Sequence, residues 1–252
     1  MRPELLEPFK RTAERPLVYG HRGARARAPE NTILAFDLAI AEGADGIELD
    51  VRMTADGELV VLHDRHLLLE SGKAAEVERL TLSQLDLAGK RAGHAIPTLD
   101  EVLAWRRQRG CLANVELKGD VLQRSWLARR SAESILHHGT AGILISSFHP
   151  MLVLQMARRL PTVPSALLLE PGSLNQLEHA IGGYRLLGAC GVHPQHALLS
   201  PTYLRPLRES GALVNTWTVN DEADARRLAS LGVDGIVTDR PLEILGALAG
   251  QG

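Results

Sequence analysis

His21-Arg22 closes a short apolar run, Glu48 and Asp50 alternate along a second, Glu116 and Lys118 alternate along a third, and His63-Asp64 follows the extended run 58–62. Side chains two residues apart on a strand point the same way, so Glu48 shares a face with Asp50, and Glu116 with Lys118. If those strands end at one rim, three carboxylates and an ammonium converge there. Uncompensated carboxylates in a partly buried place repel and raise one another's pKa, and a hard divalent cation with oxygen ligands, Mg²⁺ or Ca²⁺, removes the conflict. The alternative is that Glu48 and Asp50 form ion pairs with Arg22 and Lys118 and hold no metal. Two imidazoles can divide the breaking of a P–O bond, one taking a proton from the attacking oxygen and the other giving one to the departing alkoxide. The planar fork of Arg22 suits two phosphoryl oxygens at once. Together these residues form a set for metal-assisted cleavage of a phosphate ester, with His21 and His63 as the acid/base pair and Glu48, Asp50 and Glu116 as the metal ligands.

Such side chains need strands that end together. Apolar, β-rich runs at 17–19, 46–51, 112–118, 142–148, 165–169, 186–192, 212–219 and 235–238 alternate with 3.6-period stretches at 32–42, 122–138, 151–160, 174–181, 201–210 and 221–231. Eight strands with intervening helices match a (β/α)8 TIM barrel. An open doubly wound sheet is the other architecture, but the turn Gly20–Gly23 lacks the three-glycine dinucleotide fingerprint. One stretch breaks the rhythm. After the hairpin signal Asp56-Gly57, residues 65–98 contain no strand-helix unit of ordinary length. Thr81 to Leu85 reads as a short capped helix, and Thr98 with Glu101 as a capping box opening the next one. The expectation is one domain over 1–252 with a small insertion, about 65–98, after the second strand.

Composition narrows the function. The chain has 252 residues, 45% of them apolar, enough to bury a large core. Its 28 basic and 30 acidic residues give a formal net charge of −2, which argues against a nucleic-acid partner. Cys111 and Cys190 are too few for a disulfide framework and read as buried free thiols. Residues 1–16 lack the apolar core of a signal peptide, and no window approaches the ~20 apolar residues of a membrane span, so a cytoplasmic protein without stable membrane insertion is expected. The runs 67–69 and 197–199 fit an interface or the core equally, and the oligomeric state is open.

The spaced set His21-Arg22-Gly23, Pro29-Glu30-Asn31-Thr32, Ala35-Phe36, Gly43-Ala44-Asp45, Glu48-Leu49-Asp50-Val51, Asp56-Gly57 and His63-Asp64 resembles the glycerophosphodiester phosphodiesterase family. Val115-Glu116-Leu117-Lys118, Ser147-Phe148, Asn215 to Asn220 and Gly232 to Pro241 extend the likeness to the last helix. The resemblance implies a TIM barrel, a divalent metal, and hydrolysis of a small-molecule glycerophosphodiester, such as glycerophosphocholine or glycerophosphoethanolamine, to sn-glycerol 3-phosphate and an alcohol. By position it implies His21 and His63 as acid and base, Arg22 and Lys118 as phosphate contacts, and Glu48, Asp50 and Glu116 as metal ligands. It also implies Trp217 as an aromatic wall against the glycerol moiety, with ordinary rim packing as the alternative. Water or the glycerol hydroxyl could attack. Many relatives continue past the second histidine with Arg-Thr-Thr, where this chain has Arg65-His66-Leu67. His149, His193 and Glu170 follow strands and are candidates to line the pocket, whereas His66, His94, His137, His138, His179 and His196 read as loop or surface residues. Two other functions compete: a phospholipase working at a membrane, which would want an exposed apolar loop or basic amphipathic helix, and a non-catalytic binding module, which would be expected to lack part of this residue set.

Overall fold

Parallel strands that are apolar on both sides need cover on both, and a closed ring with helices outside provides it. The computed structural model describes residues 3–69, 72–172 and 183–249. Eight parallel strands, β1 (Leu17–His21), β2 (Gly46–Met53), β6 (Leu112–Leu117), β7 (Ile143–Ser147), β8 (Ser165–Leu169), β9 (Gly191–Pro194), β10 (Leu213–Thr216) and β11 (Gly235–Thr238), pair in succession. β1 pairs with both β2 and β11, so the sheet closes into a TIM barrel. Outside it lie α1 (Ile33–Ala41), α3 (Leu99–Arg109), α4 (Arg124–His138), α5 (Pro150–Arg159), α6 (Pro201–Glu209), α7 (Glu222–Leu231) and α8 (Pro241–Ala249). Apolar clusters run between staves and helices, one around Phe36, Leu49, Leu103 and Ile135 and another around Val192, Leu207, Val214 and Leu228.

Two strand expectations shift. The strand expected to begin at residue 186 begins at Gly191: Tyr184–Leu187 is a 3₁₀ turn closed by Gly188 at φ 71°, which leaves Leu186 85% exposed while Leu187 packs against the barrel core. The strand expected over 212–219 ends at Thr216, because Trp217 leaves the ladder for a bridge to Gln195 while the Val219 N–H donates to the Val237 carbonyl. The helix expected over 174–181 lies outside the described residues.

After β2 the chain turns at Asp56-Gly57 into β3 (Leu59–Val61), antiparallel to β2, then forms the hairpin β4 (His66–Leu68) and β5 (Ala74–Glu76) and α2 (Leu82–Ala92). Thr81 and Thr98 both make full capping boxes, with Gln84 and Glu101. This stretch has its own small core of Val60, Val77, Leu80, Leu85 and Ile96, against which Leu67 and Leu69 pack, while Leu198 and Leu199 belong to the barrel core.

Two aspartates finish the lower rim in the same way. Asp45 and Asp234, each in a Gly-x-Asp-Gly-Ile run before β2 and β11, accept from a neighbouring stave's backbone: Val18 N–H at 2.7 Å and Val214 N–H at 2.8 Å. Arg15 and Lys10 neutralise them. At the upper rim the turn after β1 packs on α1. Gly23 has φ +88°, and a Cβ there would meet the Ala35 backbone at 2.5 Å. Gly23→Ala is therefore expected to cost about 2 kcal/mol or more, and Gly110→Ala, at an open helix cap, nearer 1 kcal/mol. Thermal denaturation of the two variants checks the order.

Candidate active site

The carboxyl ends of β1, β2 and β6 bring the charged residues together by register. His21 is the direct partner of Glu48, and Asp50 of Glu116, so three adjacent staves present these groups at two successive levels of one face. Arg22 and Asn31 hold the turn beneath them with left-handed backbones, φ 54° and 56°, a conformation that non-glycine residues keep only where surroundings fix it. Here the fixing is visible. Asn31 N–H donates to the Arg22 carbonyl at 2.9 Å, and the Asn31 side chain both donates to Asp50 Oδ2 (2.9 Å) and accepts from Asp50 N–H (3.3 Å). Arg22 donates its own N–H to Glu48 Oε2 at 3.1 Å and Nη1 to Glu30 at 2.9 Å. Its Nε lies 3.1 Å from Asp50 Oδ2 but off the N–H direction, a charge contact rather than an aligned hydrogen bond.

Oxygens of Glu48, Asp50 and Glu116 lie within 4.8 Å of one another, all three residues buried. Lys118 Nζ donates to Asp50 Oδ1 at 3.1 Å and to Glu116 Oε1 at 2.7 Å. Burial, then the repulsion of Asp50 and Glu116, push Glu48 well above the usual carboxylate range. Burial and Asp50 push Glu116 up to about 7. For Asp50, burial works upward, but Lys118 and Arg22 outweigh it and bring the group down to about 2. Of the ion pairs expected as an alternative to a metal, those of Asp50 with Arg22 and Lys118 are present, whereas Glu48 accepts the Arg22 main-chain N–H and, among the described residues, forms no ion pair with either cation. The pairs present do not exhaust the cluster, since three carboxyls face two cations and Arg22 is shared with Glu30. A compact set of hard, buried oxygen donors, two of them held above their usual pKa by burial and by the charge of their neighbours, fits a divalent cation.

His21 Nδ1 is 2.6 Å from Asp239 Oδ1. Asn220 fixes that carboxylate in turn, donating to Oδ2 at 2.6 Å and accepting the Asp239 N–H at 2.9 Å. A carboxylate on Nδ1 holds the proton there and leaves Nε2, 4.0 Å from Glu48, for other work. His63 is more open, with Nδ1 2.9 Å from Asp64; burial lowers its pKa against the pull of Asp50.

A cavity of about 280 Å³ is lined by His21, Arg22, Glu48, His63, Glu116, Lys118 and Trp217, so seven of the eight residues named from sequence share one wall. Asp50, the eighth, lies in the carboxylate cluster. Trp217 is pinned by its indole N–H on the His193 carbonyl (2.8 Å) and meets Phe148 edge to face at 5.3 Å. His193 and Glu170 line the same cavity; burial alone takes the His193 imidazole down to about 3. His149 lines a second cavity of about 410 Å³ that shares His63, Glu116, Lys118 and Phe148 with the first. His66, His138 and His196 pair with Glu76, Asp100 and Asp224 away from both, and His179 lies outside the described residues. Sequence reasoning assigned no part to Asn31, Arg52, Asp120, Asn220 or Asp239. Arg52 had a signal, since it continues the alternation of Glu48 and Asp50, whereas Asp239 reaches His21 across 218 residues.

A sequence model of the glycerophosphoryl diester phosphodiesterase family matches residues 21–243. The chain is 32% identical over 233 residues to a glycerophosphodiester phosphodiesterase of Caldanaerobacter subterraneus, covering 89% of this chain and 94% of that protein. Among solved structures, a putative glycerophosphoryl diester phosphodiesterase from Silicibacter pomeroyi superposes with a TM-score of 0.87 at 26% identity, covering 97% of each chain. An Oleispira antarctica phosphodiesterase in complex with the product sn-glycerol-3-phosphate superposes with a TM-score of 0.79 at 27% identity, covering 94% of this chain and 98% of the other. Among the described residues no helix is long and apolar enough to cross a membrane.

Glu116 makes the metal-free protein's stability depend on pH in a definite sense. Its folded pKa of about 7 exceeds the ordinary 4.5, so the native state holds a proton the unfolded chain releases. That contribution is complete below about 4.5 and is lost as pH rises through 7. In chelator, Glu116→Gln is expected to flatten the fall in thermal midpoint across this window, measured by calorimetric scans from pH 5 to 8.

Proposed function

Since the chain belongs to the glycerophosphoryl diester phosphodiesterase family and is a phosphoric diester hydrolase, we propose that it converts glycerophosphodiesters to sn-glycerol 3-phosphate and an alcohol. Glycerophosphocholine and glycerophosphoethanolamine are the substrates in view, with Mg²⁺ or Ca²⁺ as the cation. One observation carries the reading: the buried carboxylate cluster, two cationic side chains and two imidazoles border one cavity. The product held by the Oleispira antarctica relative agrees with the chemistry of that cavity.

Glu48, Asp50 and Glu116 would hold the cation, which supplies Lewis-acid polarisation of the phosphoryl oxygens. Arg22 and Lys118 hold the phosphate and stabilise the negative charge that grows on it. His21, its Nδ1 proton committed to Asp239, offers Nε2 as the base that takes a proton from the attacking water or glycerol hydroxyl. His63 borders both cavities, where it can hand a proton to the departing alkoxide. Trp217 and Phe148 give the first cavity an apolar wall against the carbon side of glycerol, and the second, opening beyond His63, takes the alcohol.

Release of glycerol phosphate from glycerophosphocholine, with and without chelator, tests the whole reading: turnover is expected with Mg²⁺ or Ca²⁺ and loss of it on chelation. Full turnover in chelator-stripped protein would remove the metal. His21→Ala and His63→Ala should each lower kcat by about 10²–10⁴-fold with a thermal midpoint near that of the wild type. Near-full activity in either variant removes that histidine from the mechanism. Asp239→Asn is expected to lower kcat by about 10²-fold or more by disfavouring the Nδ1–H tautomer of His21.

A further inference from the structure

Residues 48, 50 and 52 alternate on one face of β2, so Arg52 continues the row that begins with two of the cluster carboxylates. Its side chain is buried, and burial of a guanidinium is costly unless its donors are used. Nε donates to the main-chain carbonyl of His63 at 2.8 Å, and Nη2 donates to Asp120 Oδ2 at 3.0 Å. One side chain therefore joins three segments: β2, the segment that carries His63, and the loop two residues past Lys118.

The need for such a tie follows from how His63 is held. Its ring pairs with Asp64, whose side chain is 71% exposed, a contact that water competes for. The main chain just before it is fixed by the Leu62 N–H on the Asp50 carbonyl at 2.9 Å. The direction in which the imidazole leaves the backbone then depends on the peptide at residue 63, whose carbonyl is the one Arg52 grips. A rigid two-pronged donor can serve a carbonyl and a carboxylate in different directions at once; a lysine ammonium is a single point on a flexible stem. Resting on the assignment of His63 as proton donor above, we propose that Arg52 and Asp120 are positioning residues. The pair locks the His63 main chain to the loop after Lys118 and so holds the imidazole at the bound phosphate.

Two esters of glycerol phosphate separate this role from a merely structural one: glycerophosphocholine, whose choline alkoxide needs a proton to leave, and the p-nitrophenyl ester, whose phenolate hardly does. His63→Ala sets the benchmark, losing far more on the first. Arg52→Met should follow the same pattern, with kcat on glycerophosphocholine down about 10²-fold, KM within about threefold, and the nitrophenyl ester little affected. Arg52→Lys should fall between Arg52→Met and wild type. Asp120→Asn, at a side chain 47% exposed and hence tolerant of change, should lose about tenfold with the same selectivity. The double variant should lose no more than Arg52→Met alone. If Arg52→Met does not fold, Asp120→Asn decides. Equal loss on both esters, or a raised KM with kcat intact, overturns the positioning role. A wild type that hydrolyses neither ester overturns the functional reading beneath it.

Discussion

Like charges pressed together on adjoining staves are the constraint around which the rest of the chain is arranged. Glu48, Asp50 and Glu116 occupy a space in which three ionised carboxyls cannot stand alone. The strand register makes the encounter unavoidable, because pairing of Asp50 with Glu116 and of His21 with Glu48 is set by ladder hydrogen bonds along β1, β2 and β6. A slip of one residue on β2 would turn both its acids outward and put leucine and isoleucine in their place. Closure prevents that slip, since β1 is paired on both sides and the apolar alternate residues of β2 are committed to the core. The hydrophobic packing that stabilises the barrel is thus also what keeps an electrostatically unfavourable cluster assembled.

Local backbone choices at the two rims serve opposite ends. At the lower rim Asp45 and Asp234 satisfy strand N–H groups that would otherwise end unpaired, and basic residues neutralise them, an arrangement that favours stability alone. At the upper rim Arg22 and Asn31 adopt left-handed backbones. The conformational cost there is met by hydrogen bonds that aim the Arg22 amide at Glu48 and the Asn31 amide at Asp50. Substitutions below should change how firmly the barrel holds, and substitutions above how its charges are presented.

What was readable beforehand follows from the range of each interaction. The alternation Glu48-x-Asp50 and Glu116-x-Lys118 is a property of single strands, so the shared faces were legible, as were the capping boxes at Thr81 and Thr98. Closure into eight staves was legible from rhythm and family likeness together. The partner of His21 was not: Asp239 lies at the far end of the chain and reaches the imidazole only because closure sets β11 beside β1. The short apolar pair at 186–187 misled for a local reason, as Gly188 turns the chain before a strand can start and leaves Leu186 in solvent. Arg52 was missed because a charged residue beyond two acids reads as solvent-facing until the loop after Lys118 is seen to cover it.

The two histidines stand on different kinds of support. His21 ends a core strand and is braced through Asp239 and Asn220, all on the closed ring or at its edge. His63 stands at the threshold of the stretch 65–98 that interrupts the strand-helix rhythm, next to a small core of its own. An imidazole built into the ring is held independently of residues 65–98; one hung from its edge is not. The His63 main chain, whose residue borders both cavities, therefore needs a contact from the ring to keep it still. A grip that originates on β2 and takes hold of the peptide rather than the imidazole meets that requirement, because it fixes direction without consuming either ring nitrogen.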